Sequence, residues 1–157
     1  RGPQHALERV APPWHPPQDM PSRVDAAAAR DLPLAARYAL ACLRVADVAD
    51  LNKRLRVPTE CADFARLLPP LLAGLPPTDA EEVLAIIERC DGLRKPERFM
   101  GLLQAAAVCA DVDQAAWRRW LDLARGVDAG AVARAHAGNS GAIRQAVRAA
   151  RLTALRG

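Results

Sequence analysis

Aromatic side chains are scarce in this 157-residue chain: phenylalanine, tyrosine and tryptophan make up 4% of it, although 51% of its residues are hydrophobic. Strands draw on β-branched and aromatic residues, so an apolar content dominated by alanine and leucine favours packed helices. No apolar run approaches the ~20 residues of a membrane-spanning helix, and no charged-then-apolar leader opens the sequence. The expectation is a cytoplasmic protein with no membrane partner. Lysine is nearly absent too, occurring only as Lys53 and Lys95, so arginine supplies the excess behind the net charge of +4 and the isoelectric point near 9.2. The planar arginine fork binds phosphate bidentately, and the charge permits a polyanionic partner without requiring one.

Chemistry-bearing constellations are also missing. Cys42, Cys61, Cys90 and Cys109 form no Cys-x-x-Cys pair, and each sits inside an apolar helical pattern. They read as small buried hydrophobes in a reducing compartment. His5, His15 and His136 are far apart and lack a carboxylate at helical spacing, so no metal site is expected. No phosphate-cradling glycine loop occurs, and no nucleophile has a base close to it in sequence. Asp111-Val-Asp113 has the bare spacing of a paired-carboxylate site, but it falls between one helix end and the next helix start, where capping explains it better. The sequence therefore assigns no catalytic residue and no metal ligand.

What is present is a succession of helices punctuated by proline and glycine. A short helix at about Gln4 to Val10 leads into a stretch, 11–21, whose five prolines preclude regular helix. Ser22 caps a helix starting at Arg23, Pro33 suits the first turn of another through Leu43, and a third runs from about Asp47 to Arg56. Val57-Pro58 starts a helix expected to reach Leu68 before Pro69-Pro70, with Leu71 and Leu72 a brief continuation and Gly74 and Pro76-Pro77 closing the segment. Thr78 and Glu81 form a capping box for a helix through Cys90, which Asp91-Gly92 ends. Pro96 opens a helix to about Ala110. Asp113 caps one through Arg125, with Trp117, Trp120, Leu121 and Ala124 on its apolar face and both tryptophans expected in the core. Asp128 begins a short helix to Ala137, and Ser140 caps the last, whose apolar stripe is Ile143, Val147, Ala150 and Ala154. The fold class is all-α: an irregular helical bundle or array of about eight to nine helices. It divides into an N-terminal helix and connector (1–21), a helical body (22–110) and a helical tail (111–157).

Two basic surfaces stand out. Arg94, Lys95 and Arg98 flank Pro96 at a helix start, where free N–H groups and the helix dipole favour phosphate. The alternative is a structural turn in which Arg98 pairs with Asp91 or Glu97. On the last helix, Arg144, Arg148 and Arg151 are spaced by four and three residues and form one stripe, either a solvated face or a phosphate-binding one.

Three segments carry a family resemblance. The run Asn52-Lys-Arg-Leu-Arg-Val-Pro-Thr-Glu-Cys-Ala-Asp-Phe-Ala-Arg-Leu-Leu68 is followed by Asp91-Gly-Leu-Arg-Lys-Pro-Glu-Arg-Phe99. Trp14-His15-Pro16 and Arg37-Tyr-Ala-Leu-Ala-Cys42 precede them in the order required. Together they resemble the C-terminal half of bacterial CCA-adding tRNA nucleotidyltransferases, from about Ala11 to the end. Gly138-Asn-Ser-Gly141-Ala-Ile143 resembles the glycine-containing tail motif of that family.

The resemblance implies that catalysis resides in a head that this chain lacks, where a Gly-Ser turn and paired aspartates hold magnesium and act on CTP and ATP. It implies no cofactor in the chain itself. It also implies a partner, the acceptor arm and elbow of tRNA, held by body and tail through backbone shape. Many members carry a metal-dependent phosphohydrolase domain. Here Arg23 stands where its first histidine would be, and Leu43-Arg44 where its His-Asp doublet would be, so that domain reads as degenerate. The chain is expected to be non-catalytic alone and to position tRNA. The alternative is a protein-interaction module without RNA binding, dimerising through the tail helix.

Overall fold

A computed structural model describes residues 31–157. The helix expected at about Gln4 to Val10, the connector 11–21, Ser22, Arg23 and Trp14-His15-Pro16 lie outside the described residues. Within them the chain is all-α, with no strand. The helices are α1 (Leu34–Cys42), α2 (Val48–Leu55), α3 (Thr59–Ala73), α4 (Ala80–Arg89), α5 (Pro96–Cys109), α6 (Gln114–Arg125), α7 (Ala129–Ala135) and α8 (Ser140–Arg156).

They fall into two compact units. The first takes the described residues up to Pro76 together with Gly101–Val112, and the second takes Pro77–Met100 and Asp113–Gly157. In the first unit α1 and α2 pack on α3. Small residues allow the close approach of α1: Ala35, Ala36 and Ala39 are at most 4% exposed. From the later part of α5, Leu102, Leu103, Ala105 and Ala106 are fully buried. Gly101 leaves room for Phe64, since a Cβ there would lie 3.1 Å from Phe64 Cζ.

The proline pair does not stop α3, which continues through Pro69 and Pro70 to Ala73. Each proline removes a backbone donor and opposes the helix by about 3 kcal/mol. Leu67, Leu68, Leu71 and Leu72 are each no more than 5% exposed. Burying a leucine is worth roughly 1.5–3 kcal/mol, so four on one helix outweigh the pair.

The second unit is held by α8, which packs on α4, α6 and α7. Its helix starts follow aspartate and asparagine caps. Asp113 accepts the Ala116 N–H and Asp128 the Ala131 N–H, as the sequence implied. Two caps sit one residue away from expectation. Asp79 accepts the Glu82 N–H while Glu82 accepts the Thr78 N–H, so the box is built on Asp79 and Glu82 instead of Thr78 and Glu81. Asn139, not Ser140, caps α8, because its Oδ1 reaches the Ala142 N–H at 3.0 Å. Helix α4 closes with paired reverse bonds, Gly92 N–H to Ile87 O at 2.8 Å and Asp91 N–H to Glu88 O at 3.1 Å. The left-handed residue of this closure is Asp91, at φ 56°, a conformation aspartate tolerates.

The core of the second unit gathers Val83, Leu84, Ile86, Ile87, Phe99 and Leu121, none more than 5% exposed. Val147 and Leu152 are the buried residues of α8. Leu152 lay outside the expected stripe. Cys42, Cys61 and Cys90 are buried and Cys109 is half-buried, and none of the four is in a disulfide.

Candidate nucleic-acid interface

Positive charge concentrates on α6, α7 and α8. Residues 113–157 hold eight arginines against three aspartates. Two of those aspartates, Asp113 and Asp128, turn a side-chain oxygen to a helix start. The rest of the segment therefore presents arginine with little acid among it.

The sequence-derived arginine sites have different surroundings. On α8, Arg144 is exposed while Arg148 and Arg151 are half-buried. Arg148 Nε lies 3.4 Å from Glu88 Oε1 on α4, which ties the middle of the stripe to its own unit. The Arg151 Nε is shielded from solvent and has no hydrogen-bond partner among the described residues. Its stem lies along the helix packing in the way long cationic side chains cover apolar surface.

At the turn into α5, Arg94 pairs with Asp91 at 2.6 Å, and its side chain stays 75% exposed. Lys95 is exposed. Arg98 is half-buried and donates Nη2 to the Cys90 carbonyl at 3.0 Å, satisfying an acceptor at the C-terminal end of α4. Glu97 takes Arg118 of α6 in a bidentate pair at 3.1 and 3.2 Å. That hydrogen bond holds the Glu97 carboxyl below the usual carboxylate range and raises the Arg118 guanidinium. Arg125 donates Nε to the Leu93 carbonyl at 3.1 Å, so the turn is fastened from α6 as well. Arg94 and Lys95 present charge outward, whereas Arg98 is mainly structural.

In the first unit, the sequence run beginning at Asn52 has a definable structural role. The Tyr38 hydroxyl donates to Asn52 Oδ1, joining α1 to α2. Arg56 closes α2 in the left-handed region at φ 51°. Burial pushes the Tyr38 phenol up to about 12, with the Cys42 thiol adding to the shift and Cys61 contributing further. Burial likewise raises Cys42. Leu43, at the position of the expected doublet, is 5% exposed. It borders a cavity of about 510 Å³ with Val45, Val48, Ala65, Asn52 and Asp63. Among the described residues no three His, Cys, Asp or Glu side chains come together to hold a metal ion.

Sequence reasoning missed the groove beside Trp120. Trp117 is 2% exposed, as expected of a core residue. Trp120 is only half-buried and lines a groove of about 290 Å³. The one-turn spacing placed both rings on one helix face without revealing where that face meets solvent.

The fold and this face define an all-helical protein with an arginine-rich surface on its second unit. Over 153 residues, 97% of the chain, the sequence is 50% identical to a CCA-adding enzyme of Bordetella pertussis and to another of Bordetella bronchiseptica. It is 38% identical over 121 residues, 69% of the chain, to a multifunctional CCA protein of Ralstonia nicotianae. The chain spans 42% of the length of the Bordetella relatives and 28% of the Ralstonia one. No family model matches it, and no solved structure matches it. The chain is a relative of the CCA-adding enzymes and corresponds to less than half of their length.

Proposed function

We propose that this chain is the C-terminal, tRNA-positioning region of a tRNA nucleotidyltransferase that completes the CCA end of tRNA. The observation that carries this reading is the 50% identity with CCA-adding enzymes across 97% of the chain. The arginine-rich second unit supports it, because a surface that reads phosphates by charge and shape suits folded RNA. Arg94, Lys95, Arg144, Arg148 and Arg151 are its proposed contacts, with Arg98 holding the turn that presents the first two. The Leu43-Arg44 segment serves as scaffold: a buried leucine beside an apolar cavity offers a cation no ligand. Magnesium, CTP and ATP belong to the remainder of the enzyme, and the chain alone is non-catalytic.

The interaction-module alternative needs a free apolar face on α8. Val147 and Leu152 are already buried, and Ile143 and Leu155 are half-buried. That leaves little apolar surface for a second copy. The discriminating experiment incubates the purified chain with tRNA lacking CCA and labelled CTP and ATP, alongside a binding titration and sedimentation. The expected result is tRNA binding by a monomer without nucleotide incorporation. Incorporation by a preparation free of host enzyme defeats the non-catalytic assignment, and self-association without tRNA binding defeats the positioning role.

A further inference from the structure

Trp117 and Trp120 lie one turn apart on α6, yet only the first is enclosed. Trp117 sits edge-on to Phe99, centroids 5.6 Å apart at 77°, and edge-on to Trp120 at 5.0 Å and 84°. Those contacts fix the Trp120 ring while part of it borders the 290 Å³ groove with Thr78, Asp79, Val83, Leu155 and Arg156. Tryptophan is seldom fully buried, so its partial exposure alone is ordinary; what distinguishes Trp120 is that the exposed part of a ring held on one side by Trp117 borders a concave surface, where a flat ligand can stack. The acid that lines the groove, Asp79, is engaged with the start of α4, where it accepts the Glu82 N–H, and Glu82 in turn accepts the Thr78 N–H. Arg156 is exposed and holds no ion pair among the described residues.

The groove also terminates the arginine stripe. Arg144, Arg148, Arg151 and Leu155 follow one another at four, three and four residues, so they share a face of α8. Leu155 is the member that reaches the groove. At 1.5 Å per residue the stripe covers about 16 Å of helix before meeting it, the length of a few nucleotides of backbone.

We infer that this groove takes one unpaired base of the bound RNA, stacked on Trp120, with the adjoining phosphate on Arg156 and the preceding backbone along the arginine stripe. The inference rests on the RNA-binding reading above and gives it a specific contact. A groove of this size is small even among ligand sites and suits a single ring system, not a base pair. Aromatic stacking accepts any base, since every base has a π-face.

The test measures tRNA affinity of the full chain and of its Trp120→Phe and Trp120→Leu variants, with circular dichroism to confirm that each folds. A second measurement follows tryptophan fluorescence while short single-stranded RNA, or a duplex of equal length, is added. Loss of a stacking platform should weaken tRNA binding roughly tenfold in Trp120→Leu, whereas Trp120→Phe, which keeps a ring, should lose no more than about threefold. Single-stranded RNA should quench the wild-type chain, the duplex should not, and most of the quench should be absent in Trp120→Phe. If Trp120→Leu fails to fold, the quenching comparison decides, with Arg156→Ala expected to reduce it. Wild-type tRNA affinity in a folded Trp120→Leu, or equal quenching by duplex and single strand, overturns the groove assignment and leaves the positioning role intact. No tRNA binding by the wild-type chain overturns both.

Discussion

Arg148 Nε of α8 faces Glu88 Oε1 of α4 at 3.4 Å, so the central arginine of the stripe is shared between its own unit and any bound phosphate. Both side chains are nearly two-fifths exposed, and a pair in that setting contributes about 0–1 kcal/mol. Replacing Glu88 with glutamine should release the guanidinium and remove a negative charge from the interface. tRNA affinity should then rise by a fewfold, up to about fivefold, with the melting temperature nearly unchanged. Arg148→Ala should cost less binding than Arg144→Ala, because Arg144 is exposed. Anisotropy titrations of the three variants check this, and weaker binding by Glu88→Gln would count against the stripe as a phosphate contact.

The single tyrosine of the chain makes a second measurement unambiguous. Tyr38 is expected to ionise near pH 12, driven first by burial and then by the Cys42 thiol. Its ordinary value is about 10. Because the folded value is raised, the neutral phenol favours the folded state below about pH 10, and that contribution is lost as pH climbs from 10 through 12. Absorbance of the tyrosinate should titrate high in the native chain and near 10 in denaturant; a native midpoint near 10 would refute the account. Asn52→Ala removes the acceptor and should lower stability by about 0.5–1.5 kcal/mol.

How far the sequence could be read depended on whether a residue's effect was local. Asp113 and Asp128 cap the helices they precede, and Asp91-Gly92 ends α4, because each involves bonds within a few residues. At Pro69 and Pro70 the sequence marked an interruption with only a brief continuation at Leu71 and Leu72. Instead α3 runs through unbroken to its close at Gly74, because what carries it past the prolines is leucine burial set by the packing of the first unit. The Asp79 and Asn139 caps each differ by one position from the expected Thr78 and Ser140. In both places two adjacent residues could supply the oxygen, and backbone geometry chose between them. At the candidate interface, the stripe spacing on α8 was legible. The pairing of Arg148 with Glu88, sixty residues away in sequence, was not, nor was the turn of Arg98 toward the Cys90 carbonyl. The groove beside Trp120 depends on the α4 start meeting the α8 end, which no single segment encodes.

Two glycines should respond oppositely to alanine. A Cβ at Gly92 would lie 3.1 Å from Phe99 Cγ and 3.2 Å from Ile87 Cγ2, both in fully packed surroundings. Gly92→Ala should therefore destabilise by about 1–3 kcal/mol. At Gly141, in the first turn of α8, the nearest atom is Asn139 Oδ1 at 3.6 Å. There alanine lowers the entropy of the unfolded chain and should stabilise by about 0.4–1 kcal/mol. Thermal or urea denaturation of both variants decides; a neutral Gly92→Ala would show that the turn into α5 packs more loosely than the structure indicates.

The last prediction concerns the arginine stripe as a whole. If Arg144, Arg148 and Arg151 meet backbone phosphates, tRNA affinity should fall as salt rises, since each contact releases condensed counterions. Replacing all three with alanine should cost about 1–3 kcal/mol of binding, the size expected for a few charge-assisted contacts on an exposed face. The salt slope should flatten by up to about one per lost phosphate contact. Helicity should survive, because alanine is the strongest helix former. One control is needed, because Arg151 is half-buried and its stem packs as well as carries charge. Arg151→Met keeps most of that stem and removes only the charge. A triple variant carrying methionine at position 151 that loses the salt dependence while melting like the wild type would assign the effect to phosphate contact. Unchanged tRNA affinity and an unchanged salt slope would remove α8 from the RNA-binding surface.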